Sequence, residues 1–576
     1  MKFPICSKSA LNVILPLAFV ALSLGSVQQK SPTYDETVHL FAGYSYLKWG
    51  DYRVNPEHPP LVKMLAAAPL LALDLDTSGI TPRERHYVQR DKNYGWVLAH
   101  RFVFAENDAE TLFFYARLVM ILLAVALALC VAQWSRQLYG VEAAIVALFL
   151  FCLDPNIIAH AAIVQTDVPF ALVLFSATYF FWRSLKELTW FNFLATATLF
   201  AVAVVTKFSS IIILPIWLVL GLANILSAEP LRSPITNPPE ICGRWRKAAF
   251  VSTILVSSVM IGYLAIWTAY QFRFDAILFQ RGQLPQIDFT SDPSWLGRLF
   301  RVCREYLLLP EALLFGLGDA YRRMERTAYL LGEISHSGFW LYFPIAFLAK
   351  TPVPTLLLIL IAVGYTLYRR PKQNEVLFLL APAMIVLAFA VWSRLNVGWR
   401  HIMPMYPFLY VWVAGAVTPL WRSGHRSTQI ALTFLAVWLC GSTLWAYPNY
   451  LSYFNEAAGG SSKGRTILVD SSLDWGQDLK ALKQWMDRNR IDRIQLAYFG
   501  TADPAYYKIK ADFLPGSVYV TDSALDDVAD TPPYVAISET LLAGLYLDRP
   551  DRYARFRDRE PVAILGHSIR IYKVSD

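Results

Sequence analysis

The sequence predicts a polytopic α-helical membrane protein that carries a small α/β domain in its C-terminal part. Composition is the first observation: of 576 residues, 55% are hydrophobic and only 17% charged, and the mean hydropathy is +0.37, which is the profile of a membrane chain rather than of several soluble domains. The second is a series of apolar runs of about 20 residues, the length that crosses roughly 30 Å of hydrocarbon. They recur as far as about residue 446 and then stop. The third is an abrupt change after Tyr447 to short β-like runs separated by turn signals.

Taken in order, the apolar runs give about eleven expected spans, near 10–28, 111–133, 141–154, 168–182, 191–206, 209–227, 248–269, 353–368, 375–392, 404–420 and 428–446. The first, behind Lys2 and Lys8, also has the layout of a cleaved signal peptide. It is long enough to span and ten more follow, so a retained helix is expected. With the N-terminus inside, Arg136, Arg183, Lys186, Arg232, Arg244, Arg246, Lys247, Arg369, Arg370, Lys372, Arg422 and Arg426 all fall on the cytoplasmic side, against only Lys207, Arg394 and Arg400 in the short outer turns. The net charge of +8 then reads as topology plus attraction to anionic membrane lipid. No basic stripe or nucleic-acid motif occurs, so no nucleic-acid partner is expected. Of the six cysteines, Cys130, Cys152 and Cys440 lie in or beside spans, Cys6 and Cys242 fall inside and Cys303 alone outside. No intramolecular outer disulfide or zinc-type CxxC spacing follows.

Three outer segments are too long to be turns: 30–110, 270–352 and the tail from about 447 to 576. In the second, "WLGRLFRVCREYLLLPEALLFGLGDAYRRMERTAYLL" sets Arg298, Arg301 and Arg304 on one face of a helix among leucines and aromatics. It reads as a helix in the lipid headgroup layer or, equally, as loop helices packed on one another. In the tail, "RTILVD", "IQLAYF", "SVYVT", "YVAIS" and "SIRIYKV" predict strands around a helical "DLKALKQWMDRN". The organisation expected is a transmembrane catalytic domain over 1–446 and a soluble outer-face domain over 447–576.

Long outer loops on a rigid bundle are where chemistry is expected. Directly after the first span, "SPTYDETVHLFAGYSYLKWGDYRVNPEHPPL" presents Asp35 and Glu36, then Glu57 and His58 ahead of Pro59 and Pro60. An acid pair at a membrane exit also serves as an ordinary solvated helix start. The prolines stop a helix and hold Glu57 in extended backbone. Lys207 in "VVTKFSS", Lys350 in "LAKTPVP" and Arg400 with His401 in "GWRHIMP" map to the same face as the acids. Each suits a phosphate, although charged groups at span ends also snorkel. Neither a Rossmann glycine fingerprint nor a P-loop is present.

With these motifs in this order, the chain resembles the GT-C superfamily of polytopic glycosyltransferases. The branch is that of the dolichyl-phosphate-mannose–protein mannosyltransferases and the bacterial aminoarabinose transferase of lipid A, which carry an acidic pair after the first helix and an E-x-P-P motif later in the same loop. "LDPNIIAHAAIVQTDVPFALVLF", with Asp154, His160 and Asp167, resembles the family's second outer loop. "ISHSGFWLYFPIAFLAKTPVP" and "RLNVGWRHIMPMYPFLYV" resemble its His-aromatic and basic-aromatic segments. The resemblance covers the membrane part; the tail's "YFNEAAGG" and "LVDSSLDWGQDLKALKQW" resemble what many bacterial members carry and imply no mechanism.

What the resemblance implies is a GT-C fold and an inverting transfer of a sugar from a polyprenyl-phosphate carrier to an acceptor hydroxyl on a protein Ser or Thr, a glycan or an envelope lipid, at the outer face of the inner (plasma) membrane. Such an enzyme has to deprotonate the acceptor, align it with the leaving phosphate and stabilise the charge left there. Asp35 is the expected general base, with Glu36 and Asp167 as further catalytic acids. His58, His160, Lys207, Lys350, Arg400 and His401 are the expected substrate and phosphate contacts. Glu57 and His336 match positions that hold a divalent ion in the aminoarabinose branch, so zinc or manganese is an expected cofactor. His58 departs from the Lys that relatives place after this Glu, which makes a positive contact there pH-dependent. The alternatives are a transporter or flippase of lipid-linked substrates, or a membrane assembly protein without activity. A transporter usually sets its ionisable groups near the midplane and repeats its halves, and neither feature is seen.

Overall fold

A computed structural model of the chain describes residues 5–89, 91, 93–234, 240–277, 294–322, 326–371, 373–518 and 532–574. Among them, seven helices are long and apolar enough to cross a membrane: Ala10–Val27, Ala109–Tyr139, Asp167–Lys186, Phe208–Leu226, Arg244–Ala269, Glu375–Ser393 and Arg426–Ala446. Two bent pairs raise the number to nine when each is counted as one span. The protein is therefore a multi-pass membrane protein, with fewer straight crossings than the eleven expected.

The difference has local causes. The run expected at 141–154 is the first limb of a broken pair, Val141–Cys152 and Pro155–Ala161, bent by 68°. At the break the Asp154 carboxylate caps the second limb by accepting the backbone N–H groups of Asn156 and Ile157, and Pro155 takes the first helical position that tolerates it. A second break, 109° between Tyr342–Lys350 and Val353–Arg369, falls at Thr351 and Pro352, where proline removes a backbone donor. The runs at 191–206 and 404–420 form helices of 15 and 17 residues, Trp190–Val204 and Tyr406–Arg422. Hydropathy reports an apolar run but not where its helix stops.

The first two long segments between spans carry short helices. In the first, Glu36–Trp49 lies against Leu61–Ala67 so closely that a Cβ on Gly43 would stand 1.9 Å from the Lys63 carbonyl oxygen. In the second, Trp295–Glu305 and Glu311–Arg322 are followed by a hairpin of Ala328–Leu330 with Glu333–Ser335. Ser294 caps the first of these helices by accepting the Gly297 N–H, and Trp295, Leu299 and Val302 are left exposed along it. Gly316 is needed where the next helix meets the first segment: a Cβ there would stand 1.8 Å from the Pro56 carbonyl oxygen, one residue before Glu57.

The tail carries a five-stranded sheet in the order Ala511–Phe513, Ile494–Ala497, Tyr534–Ser538, Ile569–Lys573, Ala563–Leu565. Its first two junctions are parallel and its last two antiparallel. Three expected strands fall on it, "IQLAYF", "YVAIS" and "SIRIYKV", and the expected helix is Leu479–Arg488. "RTILVD" is not a strand but leads between two 3-10 turns, Ser461–Thr466 and Asp470–Ser472; most of "SVYVT" lies outside the described residues.

The connection into the sheet is hydrogen-bonded to the ends of the bundle helices and to the segment that follows the first span. Ser31 and Tyr34 donate backbone N–H groups to Gln477 and Trp475 at 2.9 Å each. Lys30 pairs with Asp478, and the Asn455 N–H reaches the Ala349 carbonyl at 2.9 Å. Buried apolar residues of the first outer segment, the second and the sheet form one cluster that includes Phe41, Leu98, Phe315 and Leu496. The stretch from Asn449 to Asp478 is thus part of the outer wall of the bundle.

Candidate functional site

The first acid pair divides into two different environments. Glu36 opens the helix Glu36–Trp49 and is fully buried. Its carboxylate accepts the Thr33 N–H (2.7 Å), the Thr33 hydroxyl (3.1 Å), the Val164 N–H (3.0 Å), and Arg117 Nε (2.9 Å) and Nη2 (2.7 Å). Burial pushes its pKa up, but Arg117 and the backbone donors outweigh this and hold it below the ordinary carboxylate range. Asp35, one residue earlier, is half-buried. Its backbone carbonyl accepts the His39 N–H, while its side chain makes no capping hydrogen bond.

Around Asp35 the chain collects charge from segments far apart in sequence. Lys63, buried, donates to the carbonyls of Asn55 and His58. Burial pulls its pKa down, and Glu57 and Asp35 pull it back. His39 donates Nδ1–H to the Val164 carbonyl at 3.0 Å, and burial lowers its pKa to about 4. The His58 ring stands edge-on to His39 at 6.0 Å, with Nδ1 buried and lacking a hydrogen bond. Burial, Lys63, His39 and Lys207 hold it well below its ordinary value, so it is neutral at pH 7. The weakened positive contact expected at this position is a neutral ring.

Asp167, at the start of its span, is buried between Lys207, which donates to it, and Arg400, whose Nη1 lies 3.4 Å from Oδ2. The Arg400 guanidinium rests over the Trp475 ring, 4.3 Å from its centroid, and Nε is buried with no hydrogen-bond partner. His401 is kept neutral, first by burial and then by Lys207 and Arg400. His160 stacks on Trp399 at 5.8 Å and meets Gln165, which also lies 3.5 Å from Arg400. Asp35, Glu57, His58, Asp167, Lys207, Arg400 and His401 therefore share one cluster, with His160 behind it.

Lys350 is placed differently from the phosphate contact expected. It is 1% exposed, and its ammonium donates to the carbonyls of Leu451 (2.9 Å) and Ser472 (2.6 Å) and faces the Phe454 ring. It ties the tail connection to the bundle. His336 lies exposed at the end of the hairpin and shares a hydrogen bond with the Thr327 hydroxyl at 3.1 Å. No group of three or more His, Cys, Asp or Glu side chains that could hold a metal occurs among the described residues. Glu57 and His336 by themselves supply two donors, short of the three protein ligands of a catalytic zinc site, so the residues as placed do not fit the expected ion and no step below runs through one.

Several members of the cluster were not anticipated. Arg117 was legible as the single charge inside the apolar run 111–133, where an ionisable residue calls for a buried partner. Asp470 and Tyr546 from the tail, and Arg326 from the second outer segment, had no such signal. Burial opposes the charge on Arg326, but Tyr546, Asp470, Asp35 and Glu57 hold its pKa above the ordinary value.

Comparison with known proteins agrees with the family resemblance. Residues 105–238 match the family model described as dolichyl-phosphate-mannose-protein mannosyltransferase; that range holds Asp154, His160, Asp167 and Lys207 but neither Asp35 nor Glu57. No curated protein matches the chain in sequence. Among solved structures, the chain is similar to ArnT from Cupriavidus metallidurans in the apo state (11% identity, 98% of each chain, TM-score 0.48) and bound to undecaprenyl phosphate (12%, 97% of each chain, TM-score 0.47). It is also similar to the oligosaccharyltransferase AglB from Archaeoglobus fulgidus in complex with an inhibitory peptide and a dolichol-phosphate (14%, 88% of this chain, TM-score 0.44). The chain spans 64% of the length of that oligosaccharyltransferase.

Proposed function

We propose that the protein is an integral-membrane glycosyltransferase that moves a sugar from a polyprenyl-phosphate carrier to an acceptor hydroxyl at the outer face of the membrane. The observation that carries this reading is the gathering of Lys207, Arg400 and His401 about Asp167, with Arg400 Nε unpartnered, within the same cluster as the Asp35 carboxylate. The match of residues 105–238 to a mannosyltransferase family model supports the reaction class.

In this reading Asp35 takes the acceptor proton as its oxygen attacks the anomeric carbon. The bond from that carbon to the phosphate oxygen breaks, and the carrier leaves as a phosphate dianion. One displacement inverts the anomeric centre. Arg400 donates Nε–H to the leaving oxygen, and Lys207 adds positive charge behind it. Glu36 does not react: its oxygens are already occupied, and it fixes the turn that presents Asp35. Glu57 sets the field at Lys63 and Arg326 and positions the acceptor.

The test is release of undecaprenyl phosphate from a panel of undecaprenyl-phosphate hexoses by purified protein with a membrane-extract acceptor. Arg400→Gln should lower the rate about 100-fold, the usual cost of removing one donor to a developing anion. A wild-type protein inactive on every donor, or an Arg400→Gln protein within about 3-fold of wild type, would count against the reading.

Sidedness has its own test. Ser471 is buried and its hydroxyl donates to the Val397 carbonyl, so a tail probe belongs on an exposed residue such as Asn489. In a Cys242→Ser background, because Cys242 is exposed, Asn489→Cys should react with an impermeant maleimide in spheroplasts and Ser423→Cys should not. The reverse pattern would invert the topology.

A further inference from the structure

We infer that Asp470 and Tyr546, together with Arg326, form the subsite that reads the hydroxyls of the transferred sugar. This rests on the carrier reading above and assigns the tail a place in it.

Both tail residues are held in a backbone conformation that L-residues avoid. Asp470 has φ 57° and Tyr546 φ 62°, where a Cβ crowds the backbone. Although 76 residues apart, they meet: the Tyr546 hydroxyl donates to Asp470 Oδ2 at 2.6 Å. Paired strain of this kind persists where the surroundings impose it, and it gathers at ligand sites.

The surroundings do impose it. Ser471 and Ser472, the next residues, are fixed to the Arg400 segment by the bond from the Ser471 hydroxyl to the Val397 carbonyl and by the Trp399 N–H donating to the Ser472 hydroxyl at 3.1 Å. A Cβ on Gly398, which has φ 132°, would stand 2.1 Å from the Ser471 hydroxyl oxygen, so only glycine admits the tail this near to Arg400. At the other end, Tyr546 stacks on Phe499 (5.5 Å, 19°) and Phe499 on Tyr34 (5.2 Å, 29°). Tyr34 is the residue before Asp35. Asp470 therefore lies between the cation proposed to hold the leaving phosphate and the residue proposed to receive the acceptor proton, which is where a transferred ring has to sit.

The chemistry suits that occupant. Asp470 is 8% exposed, and Oδ1, which accepts the Ser471 N–H, and Oδ2, which accepts the Tyr546 hydroxyl, each keep a second lone pair for a sugar hydroxyl; the Arg326 guanidinium offers donors, and Tyr546, 39% exposed, offers an aromatic surface at the rim. A strut between two parts of the tail would need neither the strain nor the exposure.

The experiment compares binding of bare undecaprenyl phosphate with that of carriers bearing mannose, glucose or galactose, on full-length wild-type protein and on Asp470→Asn and Tyr546→Phe. Tyr546→Phe keeps the ring against Phe499, so it remains informative even if Asp470→Asn fails to fold. Wild type should hold at least one hexosyl carrier about 10-fold more tightly than the bare carrier, the worth of one hydrogen bond to a charged group. Each variant should reduce the margin to within about 2-fold and leave bare-carrier affinity unchanged. Wild type that binds no carrier overturns the carrier reading and this one with it. Normal carrier binding with the full sugar margin in both variants overturns only the subsite. Variant-sensitive binding of a free methyl hexoside, with no variant-sensitive margin for the carrier-linked sugar, moves the site to a glycan acceptor and overturns the donor assignment.

Discussion

Asp35→Asn is expected to lower transfer by about 1,000-fold, within the range that general-base catalysis contributes, while leaving the protein as abundant and as thermally stable as wild type. The two halves of the expectation have separate grounds. The Asp35 side chain makes no capping bond, so exchanging a carboxylate oxygen for an amide nitrogen removes a proton acceptor and little packing. His39, His58 and His401, the imidazoles of the cluster, are all pushed down by burial. They are neutral at pH 7: His39 donates Nδ1–H to the Val164 carbonyl, and the His58 ring lies edge-on to that of His39. Turnover and melting temperature measured on the same purified sample decide the matter. Activity within about 10-fold of wild type would remove Asp35 from the base role, and a lost folded peak would show it to be structural instead.

Much of this cluster was legible because the sequence carries positional information that a membrane makes sharp. Charged residues are costly in hydrocarbon, so Asp35, Asp167, Lys207 and Arg400 stand out at the ends of apolar runs, and the basic-residue bias assigns them all to one face. Proline and aspartate marked the break at Asp154 and Pro155 but were read as the end of a span, because hydropathy does not separate a turn in the membrane from an exit. Lys350 shows the limit of the face argument. It sits at a span end like Lys207, yet its partners are the Leu451 and Ser472 carbonyls, about a hundred residues further on, and nothing local announces them.

The tail was the least legible part. Its strands and helix followed from alternation and periodicity, but its strongest tie to function runs through an irregular segment. "LVDSSLDWGQD" has no repeat period, because its acids are satisfied one by one: Asp470 by Tyr546, Asp474 by the Thr540 and Gly476 N–H groups, Asp478 by Lys30 and Ser568. Desolvation raises the Asp474 pKa to about 8, the mark of a carboxyl enclosed by protein. The composition shift at Tyr447 precedes the sheet, but it does not announce that the connection between them is hydrogen-bonded to the bundle.

The neighbouring acid should behave in the opposite way to Asp35. Glu36→Gln is expected to cost about 3–5 kcal/mol of stability, the penalty for leaving one member of a buried ion pair uncompensated. Arg117 is 5% exposed and, beyond Glu36, its hydrogen bonds among the described residues go to carbonyls, Ser31 and Val27 at 3.3 Å and Lys30 at 3.5 Å. An amide at position 36 would also turn a donor toward a guanidinium and the Thr33 and Val164 N–H groups. The pH dependence follows from the direction of the shift. The folded pKa of Glu36 is depressed, so its contribution is complete above the unfolded value of about 4.3, is constant through neutral pH, and is lost as pH falls through the lower folded value. Melting temperature read between pH 3 and 8 should therefore fall with acid more steeply in wild type than in Glu36→Gln. Replacing both partners, Glu36→Gln with Arg117→Met, should recover part of the loss, because a pair removed together leaves no orphaned charge. If the double variant is as unstable as the sum of the singles, Glu36 and Arg117 do not act as a pair. If Glu36→Gln is as stable as wild type and inactive, Glu36 belongs with Asp35 in the chemistry rather than beneath it.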